Sequence, residues 1–171
     1  QSVGANGETP LNLGDLLPEY VSVATHIYTL EVSDAQETVS DDVIVTIQVQ
    51  QIEIDIKPDS EDNVINLGSN GVIPVGILSS ANFDATELDP ANITLAGAGV
   101  RVRGRGNRYL ATEKDLNGDG LTDLEIKIET ENLDPGTFQD GQAVLQVFDG
   151  DPETGTEIYS GSDDVTIVPP E

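Results

Sequence analysis

The chain contains no cysteine, no methionine and no tryptophan, and it has a single histidine. Disulfides, thiolate metal sites, iron–sulfur clusters and cysteine nucleophiles are therefore excluded, and any bound metal must use oxygen ligands. Positive charge is scarce as well: 7 Lys plus Arg stand against 32 Asp plus Glu, a formal net charge of −25. A body with that field repels phosphate and gains no counterion-release free energy, so nucleic acid and anionic membrane are not expected partners. Cations are. No run approaches the roughly 18 apolar residues of a membrane helix, so no membrane insertion is expected. The polar stretch after Gln1 lacks the basic and apolar regions of a secretion signal.

Catalytic patterns are also missing. There is no Gly-x-Ser-x-Gly, phosphate loop or His-Glu-x-x-His, and Gly104-Arg105-Gly106 does not continue as a dinucleotide fingerprint. Carboxylate pairs are numerous enough to leave a glycosidase pair open by residue type, but 4 Tyr and 3 Phe offer little for a sugar platform. His26 lies in a strand beside Tyr28 and reads as a packing or surface residue. The expectation is that the chain is not an enzyme.

What the chain does have is β-forming residues: 17 Val, 14 Ile and 14 Thr, punctuated by 17 Gly and 9 Pro. With 37% hydrophobic residues in 171, a packed core is within reach, and short strands and turns are favoured over helices. The expected class is all-β, a β-sandwich of immunoglobulin-like type.

One ending occurs twice. Residues 29–34 read Thr-Leu-Glu-Val-Ser-Asp and lead to Ser40-Asp41-Asp42-Val43-Ile44-Val45; residues 144–149 read Val-Leu-Gln-Val-Phe-Asp and lead to Ser162-Asp163-Asp164-Val165-Thr166-Ile167. In each copy an alternating strand, with Tyr28, Leu30 and Val32 or Val144 and Gln146 on one face, stops at Asp, and Ser-Asp-Asp opens a further strand. The plain alternative is a chance likeness between Val-rich hairpins. Taken as real, the echo divides the chain into residues 1–51 and 52–171. The second part has room for strands at 52–57, 63–67, 72–79, 92–96, 99–104, 108–113, 122–129, 142–148, 157–160 and 164–168, with Asn70-Gly71 as a turn signal. The first has strands at 20–32 and 42–50 and one near 10–13, too few to cover both faces of a sheet. A neighbouring copy or an adjoining domain is expected to complete it, with residues 1–17 the candidate exchanged strand.

The motif that carries chemistry is Asp115-Leu116-Asn117-Gly118-Asp119-Gly120-Leu121-Thr122-Asp123. Oxygen side chains stand at loop positions 1, 3, 5 and 9, with glycine at position 6, where the chain has to turn sharply. Calcium takes about six to eight oxygens at roughly 2.3–2.6 Å, and alternate residues of a curled loop supply them. Asp115, Asn117, Asp119 and Asp123 are the expected side-chain ligands, and Leu121 contributes its carbonyl. Magnesium, with its strict octahedron, fits less well. Ile126 stands where a helix–loop–helix site has Glu, and Leu124, Ile126 and Ile128 alternate with Glu125, Lys127 and Glu129, so a strand follows the loop. The bland alternative is a solvated Asn-Gly/Asp-Gly turn. Further acidic clusters are candidates for a second ion: Asp34, Asp41 and Asp42 at the first hairpin, Asp59, Glu61, Asp62 and Asn63 in a turn, and Asp149, Asp151 and Glu153 in another. Solvated turns explain these equally well. Mutual repulsion among 32 acids predicts a fold whose stability follows calcium, or, alternatively, one adapted to high salt.

Three resemblances accompany these residues. The metal loop resembles the nine-residue calcium hairpins of integrin-type propellers. Residues 26–49, His-Ile-Tyr-Thr-Leu-Glu-Val-Ser-Asp-Ala-Gln followed by Ser-Asp-Asp-Val-Ile-Val-Thr-Ile, resemble the closing strands of PKD-like and cadherin-like immunoglobulin-type domains of bacterial surface proteins. Residues 54–79, from Ile-Asp-Ile-Lys-Pro to Asn-Leu-Gly-Ser-Asn-Gly-Val-Ile-Pro-Val-Gly-Ile-Leu-Ser, are similar to a β-rich module of secreted bacterial and archaeal proteins. Further hallmarks of that module run from Phe83-Asp84 to Asp89-Pro90, from Asp115 to Asp123 and from Gly161 to Pro169. The resemblance implies an extracellular, non-catalytic module at a cell surface or in a matrix; an ancillary part of a larger secreted hydrolase or adhesin is the alternative. It identifies no ligand.

Finally, Arg101, Arg103, Arg105 and Arg108 hold four of the seven positive charges, and alternation places the first three on one strand face. Pairing with acids of the same chain, or docking on the acidic surface of a neighbouring copy, are the two readings of that stripe.

Overall fold

The computed structural model describes residues 20–33, 38–60, 62–104, 108–138 and 141–168. The fold is all-β: the described residues form fourteen strands, and their helical turns are 3-10 segments of three residues each. Two compact units meet between Gln48 and Val49. The candidate strand 1–17 lies outside the described residues, as do the side chain of His26 and all of Asp34, Glu61 and Arg105.

In the first unit, β1 (Tyr20–Ser33) and β2 (Thr38–Gln51) are hydrogen-bonded neighbours. β2 begins at Thr38, so Ser40, Asp41 and Asp42 lie inside it and do not open it. Ile44 is 65% exposed on this strand.

The second unit is a β-sandwich with its own core. One sheet runs from the end of β2 through β13 (Thr156–Asp164), β12 (Gln142–Asp149) and β6 (Ile93–Leu95) to β7 (Ala98–Gly99). Gln50 and Gln51, assigned to the first part from the sequence, pair in parallel with Tyr159 and Ser160 of β13. The other sheet has the order β10 (Ala111–Lys114), β11 (Asp123–Glu129), β5 (Val72–Ile77) and β3 (Ile54–Ile56), antiparallel throughout. Period-2 alternation in β11 turns Leu124, Ile126 and Ile128 inward and Glu125, Lys127 and Glu129 outward. The inward rows of both sheets, among them Ile56, Val75, Ile126, Leu95 and Leu145, belong to one buried cluster. Its apolar burial is the main stabilising term of the fold.

The buried row of β12 is Ala143, Leu145 and Val147, not the face of Val144 and Gln146. The other parity would have buried Gln146 and exposed Leu145, which costs more. The last hairpin is β12–β13, so Ser162, Asp163 and Asp164 close β13, and β14 (Thr166–Val168) pairs in parallel with β4 (Val64–Asn66). β4 and β5, flanking Asn70-Gly71, therefore pair with different strands and form no hairpin.

Residues 99–104 and 108–113, expected as strands, do not form two continuous strands. β7 ends at Gly99 in the first sheet, Val100 bridges to Ile128 of the second, and β8 (Val102–Arg103) pairs with β9 (Arg108–Tyr109) as a separate ribbon. The chain crosses between sheets here, so alternation along it does not keep one face. β13 also passes close to the entering chain: a Cβ on Gly161 would lie 2.8 Å from the Ile52 carbonyl oxygen and from Ile54 Cγ2. Only glycine allows that approach without displacement.

Candidate metal loop

β10 and β11 form a hairpin in which Lys114 faces Asp123; residues 115–122 of the motif are its loop, and Asp123 is the first residue of β11. The loop is held by its own side chains. Asp115 accepts from the Gly118 N–H through Oδ1 at 2.7 Å and from the Gly120 N–H through Oδ2 at 3.1 Å. Asn117 Oδ1 accepts from the Asp119 N–H at 3.0 Å, and Asp119 Oδ1 accepts from the Leu121 N–H at 2.8 Å. Asn117 Nδ2 lies 3.3 Å from Asp119 Oδ2. Such Asx turns need glycine at the tightest bends, and Gly118 and Gly120 have φ of 81° and 92°. Leu121 is 40% exposed and lines the cleft beside the loop.

Asp123 differs from the other loop acids. Its side chain is 0% exposed, whereas Asp115, Asn117 and Asp119 are exposed. Its Oδ2 accepts from the Leu116 N–H at 2.7 Å, and its Oδ1 accepts from the Ser79 N–H at 2.8 Å. Ser79 completes a bracket: its hydroxyl donates to the Thr122 carbonyl at 2.7 Å and accepts from the Ala85 N–H at 2.9 Å. Loop, β5 end and the 79–85 turn are thus tied through one buried carboxylate and one serine. The Leu116 and Ser79 N–H groups offset the cost of taking the Asp123 carboxyl group out of water, and each of its oxygens keeps a further lone pair. Among the described residues no Lys or Arg nitrogen lies within 4.0 Å of Asp123; the ion pairs there are Arg101–Glu129, Lys114–Glu125 and Lys127–Glu125.

By atom type alone, the loop's donors are those a hard divalent cation takes. Three carboxylates, an amide oxygen and a main-chain carbonyl are all oxygen, and each carboxylate oxygen that accepts one N–H keeps lone-pair capacity for more. Among the described residues no group of three or more His, Cys, Asp or Glu side chains is gathered as a ligand cluster. The loop's hydrogen bonds organise its acids one turn at a time.

Beside the loop, a cleft of about 400 Å³ is lined by Ser79, Ser80, Asp84, Thr86, Glu113 and Leu121. The Thr86 hydroxyl and then its backbone N–H hold the Asp84 carboxyl below its usual range.

The other acidic candidates are dispersed. Asp41 and Asp42 are exposed on β2, and Asp59 and Asp62 are exposed in the second unit. Asn63, however, reaches residues that no local pattern connects to it: its Nδ2 donates to Asp163 Oδ2 and to the Asp164 carbonyl, each at 3.0 Å. Asp163 Oδ2 also accepts from the Ile56 N–H at 2.8 Å. Burial first, then the charges of Asp163, Asp59 and Glu53, push the nearby Asp55 carboxyl up. In the β12–β13 turn, Asp151 accepts from the Glu153 N–H and its carbonyl accepts from Thr154 and Gly155, which is a hydrogen-bonded turn.

The arginine stripe is divided. Arg101 binds Glu129 at 3.0 Å, while Arg103 faces Arg108 across the β8–β9 ribbon. Among the described residues no helix is long and apolar enough to cross a membrane. No protein-family model, curated protein or solved structure matches the chain.

Proposed function

We propose that this chain is a non-catalytic, calcium-stabilised structural module of an extracellular surface or matrix. The observation that carries the reading is Asp123: a fully buried carboxylate, without a protein cation beside it among the described residues, at the root of an oxygen-rich loop. Asp115, Asn117, Asp119, Asp123 and the Leu121 carbonyl would hold the ion. Calcium there supplies two positive charges among three carboxylates. The chain's own residues do the rest: Asp123 and Ser79 fix the loop to β5, and the glycines let it curl. In a molecule of net charge −25, an ion bound only in the folded state offsets self-repulsion by mass action.

The resemblance to PKD-like and cadherin-like strands in residues 26–49 supports the placement at a surface. Among the described residues the first unit has two long strands, β1 and β2, which supports completion by a second copy or an adjoining domain, and through it head-to-tail assembly into a filament. The second unit's own core supports the alternative of an ancillary module in a larger secreted hydrolase or adhesin.

Thermal unfolding tests the calcium reading. At calcium about a hundredfold above its dissociation constant the ion adds about 2.7 kcal/mol, so chelation should lower Tm by roughly 5–10 °C at fixed ionic strength. A Tm that ignores chelator and follows sodium chloride alone contradicts the reading and favours salt adaptation.

A further inference from the structure

We infer that the outward face of the second sheet, at its β10–β11 end and continuing onto the β8–β9 ribbon, docks on the acidic exterior of a second copy of this chain. Of the cations among the described residues, all but Lys57 are on this face. Lys114 and Lys127 share the single carboxylate of Glu125, and Arg101 binds Glu129, both acids on the outward row of β11. Burial pushes the Glu125 carboxyl up, but hydrogen bonds from Lys127 and Lys114 outweigh it and hold the group below its usual range. Arg103, Arg108 and Lys127 line a common groove of about 450 Å³, with Tyr109 and Thr112 as its wall. The face therefore carries five cations, of which Glu125 and Glu129 bind three while the charge of Asp59 also reaches Lys114, in a chain whose net charge is −25.

Arg103 and Arg108 give the face its direction. They are register partners on the two-residue strands of the ribbon, both are exposed, and among the described residues neither has a carboxylate within 4.0 Å. Like charges directly opposite one another weaken a strand pair. In a chain with 32 acids, two guanidinium groups left facing each other form a receptor for carboxylate, which pairs with them bidentately.

Charge complementarity selects the occupant. The rest of the chain's exterior is overwhelmingly acidic, so a second copy offers the matching surface, and contact through two different patches propagates head to tail. Two bodies of charge −25 repel at long range, and that repulsion reaches about 30 Å in about 0.01 M salt but only about 8 Å in about 0.15 M. The contact thus has a non-monotonic salt signature: absent in very dilute salt, present at intermediate salt, lost again in molar salt. A small anion would show only weakening as salt rises.

The choice of partner rests on reading the chain as a structural protein, but its test is separate from calcium. The measurement is weight-average mass by sedimentation equilibrium of the full chain, in calcium, across about 0.01, 0.15 and 1 M sodium chloride. The expected result is mass above the monomer at the middle concentration only. Arg103→Glu/Arg108→Glu should be monomeric throughout while keeping its calcium-dependent Tm, and Arg103→Lys/Arg108→Lys should still associate. A wild-type chain that stays monomeric at every salt, or association untouched by charge reversal, overturns the inference. So does citrate or a DNA oligonucleotide binding at these arginines without a change in mass.

Discussion

Asp123→Ala is expected to lower the unfolding free energy by about 3–5 kcal/mol in calcium, measured by urea denaturation. The substitution leaves the Ser79 and Leu116 N–H groups without their acceptor, the first in a buried and the second in a partly buried position. Each orphaned buried donor costs about 1–3 kcal/mol. The variant also loses an ion ligand, so its stability should no longer rise when calcium is added. Asp123→Asn separates the two effects: its one amide oxygen can keep one N–H bond but not the charge, so the loss should be smaller while the calcium increment still falls. If Asp123→Ala costs less than 1 kcal/mol, the carboxylate does not hold the loop to β5.

Leu145→Ala should destabilise by about 2–5 kcal/mol, for a different reason and with a different calcium dependence. Leu145 is fully buried in β12, opposite Leu95 and Gly161, and belongs to the other sheet from the loop. Truncation removes apolar burial and leaves a cavity that the sandwich cannot close, because rows from both sheets are packed around it. It makes no hydrogen bond to the loop bracket, so the loss should be equal in calcium and in chelator. A Leu145→Ala loss that disappears on chelation would mean that the core and the loop are one cooperative element and that the burial argument is incomplete.

The loop was legible in the sequence because all its parts are local. Spacing of one, three, five and nine, with glycine at six, describes a curl that nine residues complete by themselves. Its anchor was not legible. Ser79 lies 44 positions before Asp123, and nothing in a short window of sequence brings a β5 end to a β10–β11 loop. The same holds for Asn63 and Asp163, separated by 100 positions.

Strand β11 was legible because its alternation is strict and its apolar residues are large. β12 was not, because Val144 and Leu145 both favour burial and only the volume of the whole row, Leu145 with Val147, decides between them. The arginine stripe failed for a topological reason. Alternation predicts a shared face only along one strand, and the chain changes sheet at Val100. What replaced the stripe was a pair, Arg103 with Arg108, that register alone creates. The echo of two endings marked real strands in both places, yet Ser-Asp-Asp lies within β2 in one copy and closes β13 in the other, since strand ends depend on partners that the echoed residues do not contain.

Calorimetric titration of calcium into the chelator-stripped full chain tests most directly for an ion at residues 115–123. The predicted result is saturable heat with at least one site, removed by Asp115→Asn/Asp119→Asn, exposed positions whose isosteric change leaves the core intact. Heat no greater than dilution up to millimolar calcium, or a titration that the double variant leaves unchanged, would contradict it.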